Sequence, residues 1–300
     1  MKRVLTAVVL IPLVLLVLFK APLWLFTLVV GAVALGAAWE YLGLVKAVRL
    51  QPLTMPVLMT CIAVFTVAAL YDSVSWATFG LAFFLSVFAL LAFLALSMRQ
   101  PELDSAFASA TANATVIPYV LWPFLALCVI RFQQRGVFLI VFLLAIVWSG
   151  DIFAYYAGRT FGKHKLAPRI SPGKTWEGTI ASFIGSVFLA HILFVDNRQI
   201  MDALYRWHLS STPAGLSEVD KHVRLVHGVI LGGFVNVAAQ VGDLVESMMK
   251  RSAGIKDSGT ILPGHGGILD RIDALLFAIP VLYFYTMMYP AWTFYTPFYP

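Results

Sequence analysis

Near the C-terminus, between two apolar stretches, lies the sequence GDLVESMMKRSAGIKDSGTILPGHGGILDRID, from Gly242 to Asp273. It holds more ionisable chemistry than any other part of the chain. Asp243, Glu246, Asp257, Asp270 and Asp273 occur there with Lys250, Arg251, Lys256, Arg271 and His265, among six glycines. Asp270 and Asp273 are three residues apart, so they share a face if a helix begins there, beside Asp243 at the end of the preceding helix. Carboxylates that close together repel unless a cation lies between them. Hard oxygen ligands, without cysteine or paired histidine, suit Mg2+ brought in with a phosphate substrate better than zinc. The expected metal ligands are therefore Asp243, Asp270 and Asp273, with a second cation left open. The bland alternative is a surface DRxD whose acids pair with Arg271 and Lys250.

Two further patterns lie upstream. Asn236, Gln240, Asp243, Ser247 and Lys250 recur at helical spacing, so one polar stripe runs down an otherwise apolar helix. Such a stripe lines a water-filled cavity or pairs helices, and helix pairing accounts well for Asn236 and Gln240. In VWSGDIFAYYAGRTFGKHKLAPRISPGKTWEG, Asp151, Tyr155 and Arg159 form a second helical row. A carboxylate at membrane depth costs a few kcal/mol, so Asp151 asks for a partner or a purpose; interfacial capping is the plain reading. The loop that follows carries Lys163, His164, Lys165, Arg169 and Lys174 around a Pro-Gly turn whose N–H groups could face an anion. Thr175 and Glu177 within this basic patch favour a functional reading, with Ser171, Lys174 and Glu177 as candidate substrate contacts.

These residues need elements to hold them, and the composition says which kind. The chain has 300 residues, 60% hydrophobic and 12% charged, with mean hydropathy +0.86, far from the roughly 25% charged residues of a soluble domain. Apolar blocks of about 17 to 25 residues match the length that crosses a hydrocarbon core of about 30 Å. The fold class expected is an all-α, polytopic integral membrane protein of about nine helices. The spans fall near Val4–Phe19, Trp24–Leu42, Leu53–Leu70, Trp76–Ser97, Ala112–Ile130, Val137–Ala157, Thr179–Val195, Leu225–Met249 and Ala274–Met288.

The basic N-terminus with its apolar run resembles a signal peptide but has no small-x-small cleavage site, so it reads as a retained first span. Cys61 and Cys128 lie inside apolar blocks and read as packing residues. Residues 1–135, nearly free of ionisable groups in their spans beyond Glu40, read as scaffold. Residues 136–300 read as the catalytic half, with cytoplasmic loops 158–178 and 250–273. An N-terminus in the cytoplasm places 14 of the 21 Lys and Arg on that side, including both charged loops.

The stretch from Ser247 to Asp273 resembles the signature of the phosphatidate cytidylyltransferase, or CDP-diacylglycerol synthase, family. The resemblance is carried by Ser247, Lys250-Arg251, Lys256-Asp257, His265-Gly266-Gly267 and Asp270-Arg271-x-Asp273 at the family's spacing. SPGKTWEG at Ser171–Gly178 and WSGD at Trp148–Asp151 resemble other shared segments, so the likeness covers the C-terminal half. It implies conversion of CTP and phosphatidic acid to CDP-diacylglycerol and pyrophosphate, with Mg2+, at the cytoplasmic side of the inner membrane. Lys250, Arg251, Lys256, Asp257, His265 and Arg271 would then be the catalytic set, and Ser247, Gly266 and Gly267 would bind substrate.

The partners expected are CTP, phosphatidic acid and the bilayer, with no nucleic acid and a homodimer left open. A transporter would usually show broken helices in both halves of a repeat, and none is visible. A CTP-dependent lipid kinase would need the same residue types and differs in releasing CDP.

Overall fold

The computed structural model of the chain describes residues 12–70, 76–99, 103–133, 135–195, 197–207, 209, 221–261, 264 and 266–288. Apolar runs make helices here because a backbone in lipid must satisfy its own N–H and C=O groups. The helices are α1 (12–20), α2 (Leu23–Ala47), α3 (Thr54–Ala69), α4 (Trp76–Ser97), α5 (Leu103–Val116), α6 (Trp122–Phe132), α7 (Gly136–Phe161), α8 (Trp176–Val195), α9 (Asn197–Arg206), α10 (Lys221–Ser252) and α11 (Leu269–Met288). A π-helical turn, Ile117–Leu121, joins α5 to α6. Pro118 lies within it, lacks an N–H and cannot continue the ordinary ladder.

Seven helices among the described residues are long and apolar enough to cross a membrane, and they coincide with seven of the expected spans. An eighth, α3, is apolar but has 16 residues. Half of the first expected span, residues 4–11, lies outside the described residues. The chain is an all-α polytopic membrane protein, with one small addition that the helical reading omitted. Loop 158–178 contains an antiparallel hairpin of β1 (Lys165–Ala167) and β2 (Ser171–Thr175), with Lys165 opposite Thr175 and Ala167 opposite Ser171.

The chain forms two compact units, residues 1–129 with 248–272 and residues 130–247 with 273–300. In the first, α2, α3, α4 and α5 pack in sequence, and α5 returns to α2. Tyr41 donates to the Ala112 carbonyl at 2.9 Å. Asn113 clamps the α2–α3 connection by accepting from Leu53 N–H at 2.7 Å and donating to the Gln51 carbonyl at 2.9 Å. Cys61 and Cys128 are buried free thiols.

In the second unit α7 and α8 pack along their length. Gly158 and Gly178 face each other at the hairpin end of this pair, where a Cβ on Gly178 would lie 2.9 Å from the Ala154 carbonyl. Small residues allow that approach. At Gly242 of α10, a Cβ would come within 2.5 Å of the Asp273 carbonyl of α11, so glycine permits this helix crossing too.

Candidate functional site

In the second unit a cavity of about 500 Å³ opens between α7, β2, α8 and α10. Asp151, Tyr155 and Arg159 line it from α7, Ser171 and Lys174 from the hairpin, and Gln240 and Asp243 from α10. Lys174 Nζ lies 2.6 Å from Asp243 Oδ2, with the two side chains 25% and 36% exposed. Ser247 donates to the other Asp243 oxygen at 3.3 Å. Asp151 is within electrostatic reach of both Asp243 and Lys174. Arg159 donates to the Tyr155 hydroxyl at 3.3 Å, as the helical row of the sequence predicts.

Deeper in the second unit the polar stripe of α10 pairs helices. Asn236 donates to Ser182 Oγ at 2.9 Å and to Ser186 Oγ at 2.8 Å, and Gln240 donates to Asn236 Oδ1 at 2.5 Å. Ser186 in turn donates to the Ile146 carbonyl at 2.9 Å. Asn236 and Gln240 thus line the cavity while also bonding within α10 and to α8, and Asp243 brings a carboxylate to the same cavity.

Local structure presents Lys174. Thr175, the residue before α8, accepts from Gly178 N–H at 3.2 Å as an N-cap. Glu177 accepts from His164 N–H at 3.2 Å and lies 2.7 Å from its Nδ1, while Trp176 N–H donates to the His164 carbonyl at 2.9 Å. These bonds close the base of the hairpin. Glu177, expected as a substrate contact, is thereby placed on His164 rather than on the cavity lining.

The first unit holds a second cluster. Lys250 Nζ lies 2.6 Å from Asp270 Oδ1, with side chains 12% and 6% exposed. The other Asp270 oxygen accepts from Gly267 N–H at 2.8 Å and Ser258 N–H at 3.0 Å. Asp270 of the DRxD therefore does pair with Lys250, with little of either side chain exposed, while Arg271 of the same motif lies at the surface. α10 ends in a Schellman turn: Gly254, at φ +70°, donates to the Arg251 carbonyl and Ile255 donates to that of Lys250, both at 3.0 Å. Arg251, Lys256, Asp257 and Arg271 are exposed. His265 lies outside the described residues.

Glu40 of α2, 3% exposed, reaches the same loop. One carboxylate oxygen accepts from Ile268 N–H at 3.0 Å, and the other from Leu269 N–H at 2.8 Å and Ser258 Oγ at 3.1 Å. The Gly266-Gly267 pair, expected to bind substrate, has a packing reason of its own here. Gly266 adopts φ +82°, and a Cβ on it would lie 2.8 Å from Asp270 Oδ2; a Cβ on Gly267 would lie 2.3 Å from Glu40 Oε2.

Among the described residues no three Asp, Glu, His or Cys side chains are grouped to hold one ion. The aspartates expected as one ligand set have separate partners: Lys174 for Asp243, Lys250 for Asp270, and the Ala274 N–H, at 2.8 Å, for Asp273. Two residues outside the expected site set take part. Asp151 had its signal in being an acid within a span. Glu40 had the same signal, as the acid in spans otherwise nearly free of charge, but its partners lie more than two hundred positions away in the chain.

The Cytidylyltransferase family model matches residues 1–289. A phosphatidate cytidylyltransferase of Haemophilus influenzae is 35% identical over 95% of this chain and 98% of its own length. Proteins of the same name from Pseudomonas aeruginosa and Bacillus subtilis are 42% and 39% identical over stretches covering 48% and 51% of this chain and 45% and 48% of theirs. With a match over nearly its whole length and a relative aligned end to end, the chain belongs to the cytidylyltransferase family.

Proposed function

We propose that the chain transfers the cytidylyl group of CTP to phosphatidic acid, giving CDP-diacylglycerol and pyrophosphate for phospholipid synthesis. The observation that carries this reading is the cavity that gathers Lys174, Asp243, Asp151 and Arg159 among membrane helices, in a chain whose relatives bear that enzyme's name. An oxygen of the lipid phosphate forms a bond to the α-phosphorus of CTP, and the bond from that phosphorus to the β-phosphate oxygen breaks. Its electron pair leaves on pyrophosphate. A phosphomonoester, with a second pKa of about 6, is already an anion at neutral pH, so no strong base is required. What remains for the protein is alignment and neutralisation of charge.

The cavity's donors fit Mg2+, which is commonly held by one or two carboxylates together with substrate phosphates and water. Asp243 and Asp151 would hold it, and Asp270 and Asp273 stay in the proposed ligand set along with any second cation. Bound there, the ion would neutralise phosphate charge. Lys174 would exchange Asp243 for a phosphate oxygen, an exchange its partly exposed position permits. Lys250, with the exposed Arg251, Lys256 and Arg271, would neutralise the nucleotide's phosphates. Asp257 and His265 are proposed as orienting groups beside them, Ser171 and Ser247 as substrate contacts.

Phosphatidic acid would enter laterally, leaving its acyl chains in lipid. The basic-residue asymmetry supports an inner-membrane protein with both charged loops cytoplasmic, where CTP is found, and a reporter inserted at Lys163 that reads as external would sink that orientation. Purified protein given labelled CTP and phosphatidic acid should form CDP-lipid and pyrophosphate in equal amounts, dependent on Mg2+ and reversed by excess pyrophosphate. Release of CDP with a doubly phosphorylated lipid would instead establish a lipid kinase, and no consumption of CTP would return the transporter reading.

A further inference from the structure

Glu40 belongs to the half of the chain that reads as scaffold, yet all three of its hydrogen bonds go to the charged loop. Ser258 lies six residues past the end of α10, and Ile268 and Leu269 lie where the loop enters α11. One buried side chain thus ties together the loop's two flanks. The Ile268 and Leu269 N–H groups are among those a helix start leaves without an intrahelical partner, so Glu40 caps α11 from a different helix. The fit is close on every side. A Cβ on Gly259 would lie 2.3 Å from Glu40 Oε1, and one on Gly36, a turn earlier in α2, would lie 2.4 Å from the Ile268 side chain. Asp270, the next residue after this cap, accepts from Ser258 N–H and Gly267 N–H, on the same two flanks.

We infer that Glu40 is a positioning residue for the transfer reaction: by tying Ser258 to the start of α11, it sets where Asp270 and the basic residues of the loop stand when the nucleotide binds. This rests on the reading that the loop takes CTP. All of its donors point at carboxylate oxygens. In Glu40→Gln one oxygen becomes an NH2 group, which confronts a donor instead of accepting from it. The side chain keeps its size, and the loop loses its tie.

The test compares wild type, Glu40→Gln, Glu40→Asp and Ser258→Ala as full-length protein in detergent micelles. Amide hydrogen exchange at Ile268 and Leu269 should quicken about tenfold or more in Glu40→Gln, with helices α7 and α8 unchanged. The KM for CTP should rise about tenfold while the KM for phosphatidic acid stays within about twofold. A merely misfolded fraction would lower kcat and move neither KM. Glu40→Asp should recover part of the CTP affinity, and Ser258→Ala, which removes one of the three donors, should show the same signs more weakly. If Glu40→Gln does not accumulate, Ser258→Ala and Glu40→Asp carry the comparison.

Unchanged exchange at Ile268 and Leu269, or a KM for CTP equal to wild type, overturns the inference. If wild type makes no CDP-lipid, the proposed function fails, while the exchange measurement still decides whether Glu40 holds the loop.

Discussion

Two lysine–aspartate pairs of equal length, 2.6 Å, occupy different surroundings in the two units. Lys174 and Asp243 stand at an open cavity with a quarter or more of each side chain exposed; Lys250 and Asp270 are nearly closed off from solvent. An exposed pair contributes about 0–1 kcal/mol, because water solvates each ion almost as well as its partner does. Either ion can therefore change partners cheaply. A buried pair contributes little net stability against apolar packing, but removing one partner strands a charge and costs about 3–5 kcal/mol. The same chemistry therefore yields a replaceable contact in one unit and a fixed joint in the other. Asp270's backbone donors, from Ser258 and Gly267, reinforce that joint.

The comparison breaks most readily at the buried pair. Lys250→Ala leaves Asp270 without its ammonium partner and should lower stability by about 3–5 kcal/mol, seen as a large fall in the thermal midpoint together with lost turnover. A midpoint near wild type would mean that the joint is not a joint.

Asp243→Asn sharpens the contrast, because it should change stability by no more than about 1 kcal/mol while turnover falls by about a hundredfold or more if the carboxylate is a metal ligand. Thermal melting and a Mg2+ titration on the same preparation separate the two effects. Near-normal turnover across the titration would remove Asp243 from the ligand set.

Lys174→Ala should be milder in turnover and also nearly neutral in stability. Loss of one charge-assisted contact, about 1.5–3 kcal/mol, predicts a KM for CTP raised by roughly ten- to a hundredfold. The smallest effect is expected at Glu177→Gln. Its carboxylate closes the hairpin base on His164 at an exposed position, so turnover should change by less than about threefold. A large loss there would make Glu177 a substrate contact, as its place in the basic patch suggests.

The chain's membrane class, its helical spans and its charged loops are written in local properties: runs of apolar residues, their length, and the residues that interrupt them. Gly254, where α10 stops, and the DRxD in the first turn of α11 are equally local, which is why spacing alone puts Asp270 and Asp273 one helical turn apart. Pairing is not local. Which lysine meets which aspartate depends on elements brought together by folding: Lys174 is 69 positions before Asp243, and Lys250 is 20 before Asp270. In the structure Asp243, Asp270 and Asp273 each have a donor of their own, which spacing along the chain does not reveal. Glu40 is the extreme case, 229 positions from Leu269. Its sequence context shows only a costly acid in an apolar helix, because the N–H groups that stabilise it come from a loop that tertiary structure alone lays against α2.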